Sequence, residues 1–267
     1  MCLIAFAWQA SAEFPFALVA NRDEFHARPT EGLGWWADAD IAAGRDLQAG
    51  GTWLGINKNG RIAAVTNVRE GHVEQTASLS RGLLVTHALN SADPLDAIEE
   101  QLGEMGRETA GFNILFGDLF GSSHELRYLT NRGRNGDGQT GRFQLASHPI
   151  KSGVYALSNA GLGDDWPKTL AAERAMRRAL RHRHPDQFWE VTNNREVAPV
   201  EDLPDTGVDQ DLERFLSSSF IVGDAYGTRS TLRILGQPRS GIVMTERRYD
   251  NQGDITGSSQ IRIAPPE

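Results

Sequence analysis

The chain has 267 residues, 39% of them hydrophobic and 23% charged, a globular balance that excludes collagen-like and disordered chains. No apolar run approaches the roughly 20 residues of a membrane-spanning helix, and a net charge of −8 argues against attraction to nucleic acid or an anionic membrane. The one cysteine, Cys2, excludes a disulfide framework and any multi-cysteine zinc or iron–sulfur centre.

The start of the chain, Met1 to Trp8, is apolar but carries no basic leader, and Glu13 and Pro15 follow closely. It therefore reads as a strand over Leu3–Trp8 and not as a targeting signal, and the chain is expected to be cytoplasmic. Phe16–Ala20 is the second arm of a hairpin. Trp35 and Trp36, in a loop-like segment after Arg28-Pro29-Thr30, either line a pocket or anchor the loop to the core. Strand-like runs follow at Ile41–Arg45, Trp53–Asn57 and Ile62–Asn67. The last two are joined by Lys58-Asn59-Gly60, whose Asn-Gly is a hairpin signal.

Ser80–Leu89 is predicted to be helical. A second helix starts with Pro94 at its first position and Asp93 as its cap, with Leu95, Ile98 and Leu102 on one face. Phe112–Asp118 and Glu125–Thr130 resume the strands around Gly121-Ser122-Ser123. Asn131–Thr140 has no apolar residue and is predicted to be a mobile loop. A strand at Val154–Ser158 precedes the one long helix, Trp166–Arg183, striped by Ala172, Ala175, Met176 and Ala179. After the Pro- and Asp-rich connection Val197–Asp209 come a short helix near Leu212–Ser217 and strands at Ser230–Leu235, Gly241–Tyr249 and Ser258–Ile263. Blocks of antiparallel hairpins with helices between them predict an α+β fold. With no internal repeat, one domain over residues 1–267 is expected.

Cys2 admits two readings. A lone cysteine among apolar strand residues is ordinarily a small buried hydrophobe. Yet a small residue at position 2 permits removal of Met1, and an N-terminal cysteine carries its own base. Its α-amine, with a reference pKa of about 7.7–8.0, can take the proton of a thiol of about 8.5. Asn21-Arg22-Asp23-Glu24 closes an otherwise apolar strand facing that terminus, either as a surface ion-pair cluster or as part of a site. Other signals are weaker. The seven histidines lack ligand spacing, so no metal is expected. Arg174, Arg177, Arg178 and Arg181 form a solvated helix face or a dock for an anion such as a phosphate-bearing thioester or a haem propionate. Gly50-Gly51 lacks the rest of a phosphate loop.

Met1-Cys2, Asn21-Arg22-Asp23-Glu24, Gly50-Gly51-Thr52-Trp53-Leu54-Gly55, Thr66-Asn67-Val68-Arg69, Ser158-Asn159 and Gly227-Thr228-Arg229-Ser230 occur in this order. Together they closely resemble the NRDE family, the transport and Golgi organisation proteins. The resemblance implies the N-terminal-nucleophile (Ntn) hydrolase fold, a four-layer αββα sandwich of two antiparallel sheets between helical layers. Similarity to its cysteine branch, the choloylglycine hydrolases and penicillin V acylases, implies a role for each matching residue. Cys2 is then the nucleophile and Asp23 the carboxylate that orients the α-amine. Asn67 and Asn159 are the oxyanion-hole amides, and Arg229 is the late arginine near the nucleophile. Asn21, Arg22, Glu24, Trp53 and Arg69 are expected to bind ligand. The implied function is hydrolysis or acyl transfer on a small amide or thioester without a cofactor. The alternative is a non-catalytic protein on the same scaffold that binds and traffics haem or acyl-CoA and other lipid.

Overall fold

The computed structural model describes residues 2–71, 77–120, 124–133, 143–237 and 240–265, and of Cys2 the backbone alone. Gly121-Ser122-Ser123 and all but the first three residues of the predicted loop Asn131–Thr140 lie outside the described residues. The first half of the chain forms β1 (Cys2–Trp8), β2 (Phe16–Phe25), β3 (Thr30–Trp35), β4 (Ile41–Asp46), β5 (Leu54–Asn57) and β6 (Arg61–Asn67). Helices α1 (Arg81–Asn90) and α2 (Leu95–Met105) follow, then β7 (Phe112–Asp118), β8 (Glu125–Thr130), β9 (Ala146–Pro149) and β10 (Gly153–Leu157). The remainder is α3 (Pro167–His182), two 3-10 helices at Pro185–Val191 and Val200–Asp202, α4 (Gln210–Phe215), β11 (Tyr226–Gln237), β12 (Gly241–Tyr249) and β13 (Ile255–Ile263).

Two antiparallel sheets result, one in the order β10-β1-β2-β11-β12-β13 and the other β3-β4-β5-β6-β7-β8-β9. Strand alternation explains the layering. From β1 and β2, Ile4, Phe6, Trp8, Phe16, Leu18 and Ala20 enter the core between the sheets and meet Leu54, Ile56, Ile62 and Leu115. The intervening Leu3, Ala5, Ala7, Ala17 and Val19 pack outward on the alanine stripe of α3. A strand buried on both faces reads as one apolar run, as Leu3–Trp8 does. On the other side, Leu84, Val85, Ala88, Ile98 and Leu102 of α1 and α2 cover Val65, Ile114 and Phe116. The molecule is thus an α+β sandwich in four layers, helices outside and sheets inside. Among the described residues, no helix is long and apolar enough to cross a membrane.

The β5–β6 hairpin forms at the expected Asn-Gly turn. Asn57 Oδ1 accepts from the backbone amides of Asn59 and Arg61, both at 2.9 Å, and its Nδ2 donates to Leu89 O at 2.8 Å. Gly60 takes φ +85°, open to glycine at little cost.

Two expectations are corrected, for Thr30–Trp35 and Asp93; the tryptophan pair divides between its two readings, and one strand is added. Thr30–Trp35 is an edge strand paired with β4 and not a loop. Trp35 is exposed, whereas Trp36 packs against the outer core with the Arg45 guanidinium 4.2 Å from its ring centre. Ala146–Pro149 forms a further strand against β8. Asp93 does not cap α2: Pro94 occupies the cap without a side-chain bond, and Asp93 instead accepts from Gln101 Nε2 at 2.9 Å.

Pairing of β2 with β11 places the motif. Asp23 stands opposite Thr228 and Arg22 opposite Ser230, and the register shifts between the two. Arg229 is therefore the extra residue of a bulge.

Candidate functional site

A cavity of about 150 Å³ opens where the polar end of β2 meets the other sheet, walled by Arg22, Asp23, Glu24, Arg28, Asp46, Trp53, Asn67 and the start of α1, among other residues. The Cα atoms of Cys2 and Arg22 are partners in the β1–β2 ladder, so the first strand delivers the N-terminus beside this cavity.

Asp23 is buried. Its Oδ1 accepts from Thr228 Oγ1 at 2.7 Å and its carbonyl from the Tyr226 hydroxyl at 2.9 Å. Burial pushes its carboxyl above the usual carboxylate range, opposed by the positive N-terminus, Lys168, the Thr228 hydrogen bond and Arg22. Lys168, in the first turn of α3, is itself buried and donates to Leu216 O at 3.0 Å. A buried lysine needs compensating partners to stay charged.

Arg22 lies face-on to Trp53, 4.4 Å from the ring centre, with Nη2 3.6 Å from Asp46. Its Nη1 is buried and has no hydrogen-bond partner among the described residues. Asp46 is mainly engaged elsewhere, accepting from Arg28 Nε at 2.7 Å and from the amides of Gln48 and Ala49. Burial acts to raise its carboxyl pKa, but these bonds outweigh it and leave the carboxyl below its usual range. Glu24 accepts from its neighbour, the Phe25 amide, at 2.9 Å.

Two glycines allow close approaches here: Gly51 lets the loop between β4 and β5 press its backbone on α1, and Gly44 on β4 makes room for the Trp53 ring. A Cβ on Gly51 would stand 2.6 Å from the Gly82 carbonyl carbon, and one on Gly44 2.5 Å from the Trp53 ring. Gly51 and Gly44 are thus packing positions beside the cavity wall, whereas Gly50 takes φ +77° in open space.

The other sequence candidates fall in three places. Asn67 lines the cavity, and its carbonyl accepts from Asn159 Nδ2 at 2.9 Å. Asn159 lines a second cavity of about 170 Å³ with Arg69 and Trp166, so the two asparagines sit together between the cavities. Arg69 forms a buried ion pair with Glu213 beneath Trp166, and burial pulls its guanidinium below its ordinary value. Arg229 is not among the cavity-lining residues and donates from Nη1 to Phe25 O at 3.0 Å and Arg28 O at 2.9 Å. Burial and the Arg22 charge lower its pKa.

Asn21 does not line the cavity. Fully buried, it donates from Nδ2 to Thr192 O and Ser219 O at 2.8 and 2.7 Å, and its Oδ1 accepts from Thr192 and Thr231 hydroxyls. It ties the first sheet to the segments beyond α3. Sequence reasoning missed Thr228, although it lies in the motif quoted for Arg229. It also missed Asp46, Lys168, Glu213 and the first turn of α1, none of which carries a local signature.

A sequence profile described as Transport and Golgi organisation 2 matches residues 1–251. The chain is 30% identical to the Transport and Golgi organization 2 homolog of Mus musculus over 92% of both proteins. It is equally similar, with the same coverage, to the Transport and Golgi organization protein 2 homolog of Homo sapiens. Among solved structures, the C2A mutant of conjugated bile acid hydrolase from Clostridium perfringens superposes with a TM-score of 0.51 at 9% identity, over 98% of this chain and 92% of that one. This likeness shows the expected Ntn-hydrolase fold. By sequence, the chain belongs to the Transport and Golgi organisation 2 family.

Proposed function

We propose that the chain is an N-terminal-cysteine hydrolase or acyltransferase acting on an amide or thioester. The observation that supports this most is Asp23, a buried carboxylate on the strand paired with β1, in the wall of a cavity shared with Asn67. After loss of Met1, the Cys2 α-amine takes the thiol proton and sulfur attacks the acyl carbon, moving the carbonyl electron pair onto oxygen. The oxyanion collapses, the C–N or C–S bond breaks, and the leaving group takes the proton from the ammonium. Water, deprotonated by the same amine, then cleaves the thioester and releases the acid; another acceptor in its place gives transfer. Asp23 is assigned to orient the amine, and Asn67 and Asn159 to donate to the oxyanion. Asn159 commits one amide hydrogen to Asn67 O and keeps a second.

The test is intact mass of the purified chain after exposure to amide and acyl-thioester mixtures. The expected result is loss of Met1 and an acyl adduct that Cys2→Ala abolishes, with Asn159→Ala lowering kcat roughly 10²–10³-fold. Retained Met1, or ligand binding without any adduct, would replace this reading with a binding and trafficking role.

A further inference from the structure

The cavity beside the N-terminus carries one unmet demand. Arg22 is almost wholly buried, its side chain 5% exposed, and Nη1 finds no acceptor among the described residues. Leaving a buried charged donor unmet is costly, and an acceptor entering the cavity relieves that cost. The carboxylates nearby are already engaged: Asp46 by Arg28 and two amides, Glu24 by the Phe25 amide, and Asp23 by Thr228. Ser80, Arg81 and Gly82 also line the cavity; they start a ten-residue helix whose cap residue Ser80 makes no side-chain cap bond. The leading amides of a helix lack intrahelical partners and favour negative charge.

We propose that this cavity recognises an oxyanion, a carboxylate or phosphate carried by the substrate close to its reacting carbonyl, through Arg22 and the first turn of α1. Its place near the reacting carbonyl rests on the acyl-transfer reading, because Arg22 is the ladder partner of Cys2. The anion site itself stands on the geometry of Arg22 and α1. Arg22 Cζ lies 4.4 Å from the Trp53 ring centre and Nη1 is without a partner among the described residues, and a guanidinium suits a planar or tetrahedral oxyanion.

The experiment is calorimetric titration of the full chain carrying Cys2→Ala, which cannot turn over, with inorganic phosphate and with acetate at constant ionic strength. One anion per chain is expected to bind saturably. Arg22→Gln should weaken binding at least tenfold and Arg22→Lys less, while Arg262→Gln, on the exposed face of β13, leaves it unchanged. Should Arg22→Gln fail to fold, the Lys variant carries the comparison. Tighter phosphate binding assigns a phosphoryl group, and tighter acetate binding a carboxylate. Absence of saturation with either probe, or equal affinity in wild-type and Arg22 variants, overturns the site. An acyl adduct on Cys2 without anion binding overturns this inference alone, whereas anion binding without any adduct overturns the catalytic reading and leaves the site.

Discussion

The two faces of β2's polar end treat their buried groups in opposite ways. Toward α3, Asn21 uses both amide hydrogens and receives two hydroxyls. Toward the second sheet, the adjacent Arg22 is buried to a similar degree but keeps one donor unmatched. Polar burial is therefore no guide to purpose by itself. A saturated group joins parts of the fold, because any ligand would have to displace bonds already made. An unsaturated group stores a local cost that only an incoming acceptor relieves.

Substitutions break this contrast at graded cost. Asn21→Ala strands two carbonyls and two hydroxyls, and urea denaturation should show a loss of about 3–5 kcal/mol; a loss below about 1 kcal/mol would erase the distinction between the faces. Gly51→Ala forces a methyl into the Gly82 backbone and should cost about 1–3 kcal/mol in the same assay, with disturbance of the α1 wall. Asp23→Asn tests the electrostatics. Since burial holds the Asp23 carboxyl above its unfolded value, the native chain binds more protons between the two pKa values. Its stability then falls as pH rises through that window. The stability of wild type relative to the Asp23→Asn variant should thus be greatest in acid and shrink toward neutrality in urea titrations between about pH 3 and 7. A flat difference would make Asp23 ordinary. The smallest effect is expected for Arg22→Met, within about 1 kcal/mol, because Asp46 keeps Arg28. A loss comparable to that of Asn21→Ala would place Arg22 among the structural residues.

Much of the architecture was legible because period and punctuation agreed. The apolar run Leu3–Trp8, the Asn-Gly turn and the alanine stripe of α3 each state their environment locally. β3 was hidden because it is a sheet edge: in Thr-Glu-Gly-Leu-Gly-Trp only Leu33 is buried, so the alternation that marks a strand is nearly absent. β9 is short, ends in Pro149 and has no buried residue. At the site, the residues near the first strand were readable as a motif, but membership did not reveal direction. Asn21 and Arg22 are neighbours in one motif, and pleating sends them to different layers. Lys168 and Glu213 reach the site region through tertiary packing of distant segments, which no spacing along the chain records.

The β11 bulge has a consequence for how this region tolerates length change. Thr228 and Ser230 are separated by one residue, so an unbroken strand would show both to the same side. The inserted Arg229 lets them stand opposite the consecutive residues Asp23 and Arg22, which belong to different layers. Deleting Arg229 would make Thr228 and Ser230 consecutive opposite Asp23 and Arg22, so every pairing with β2 is kept in a regular ladder and Leu232 still meets Ala20 in the inter-sheet core; only the Arg229 bonds to Phe25 O and Arg28 O are lost. One residue inserted between Ser230 and Leu232 would instead turn Leu232 and Ile234 out of that core. The region is thus expected to tolerate loss of Arg229 far better than a one-residue insertion after the bulge.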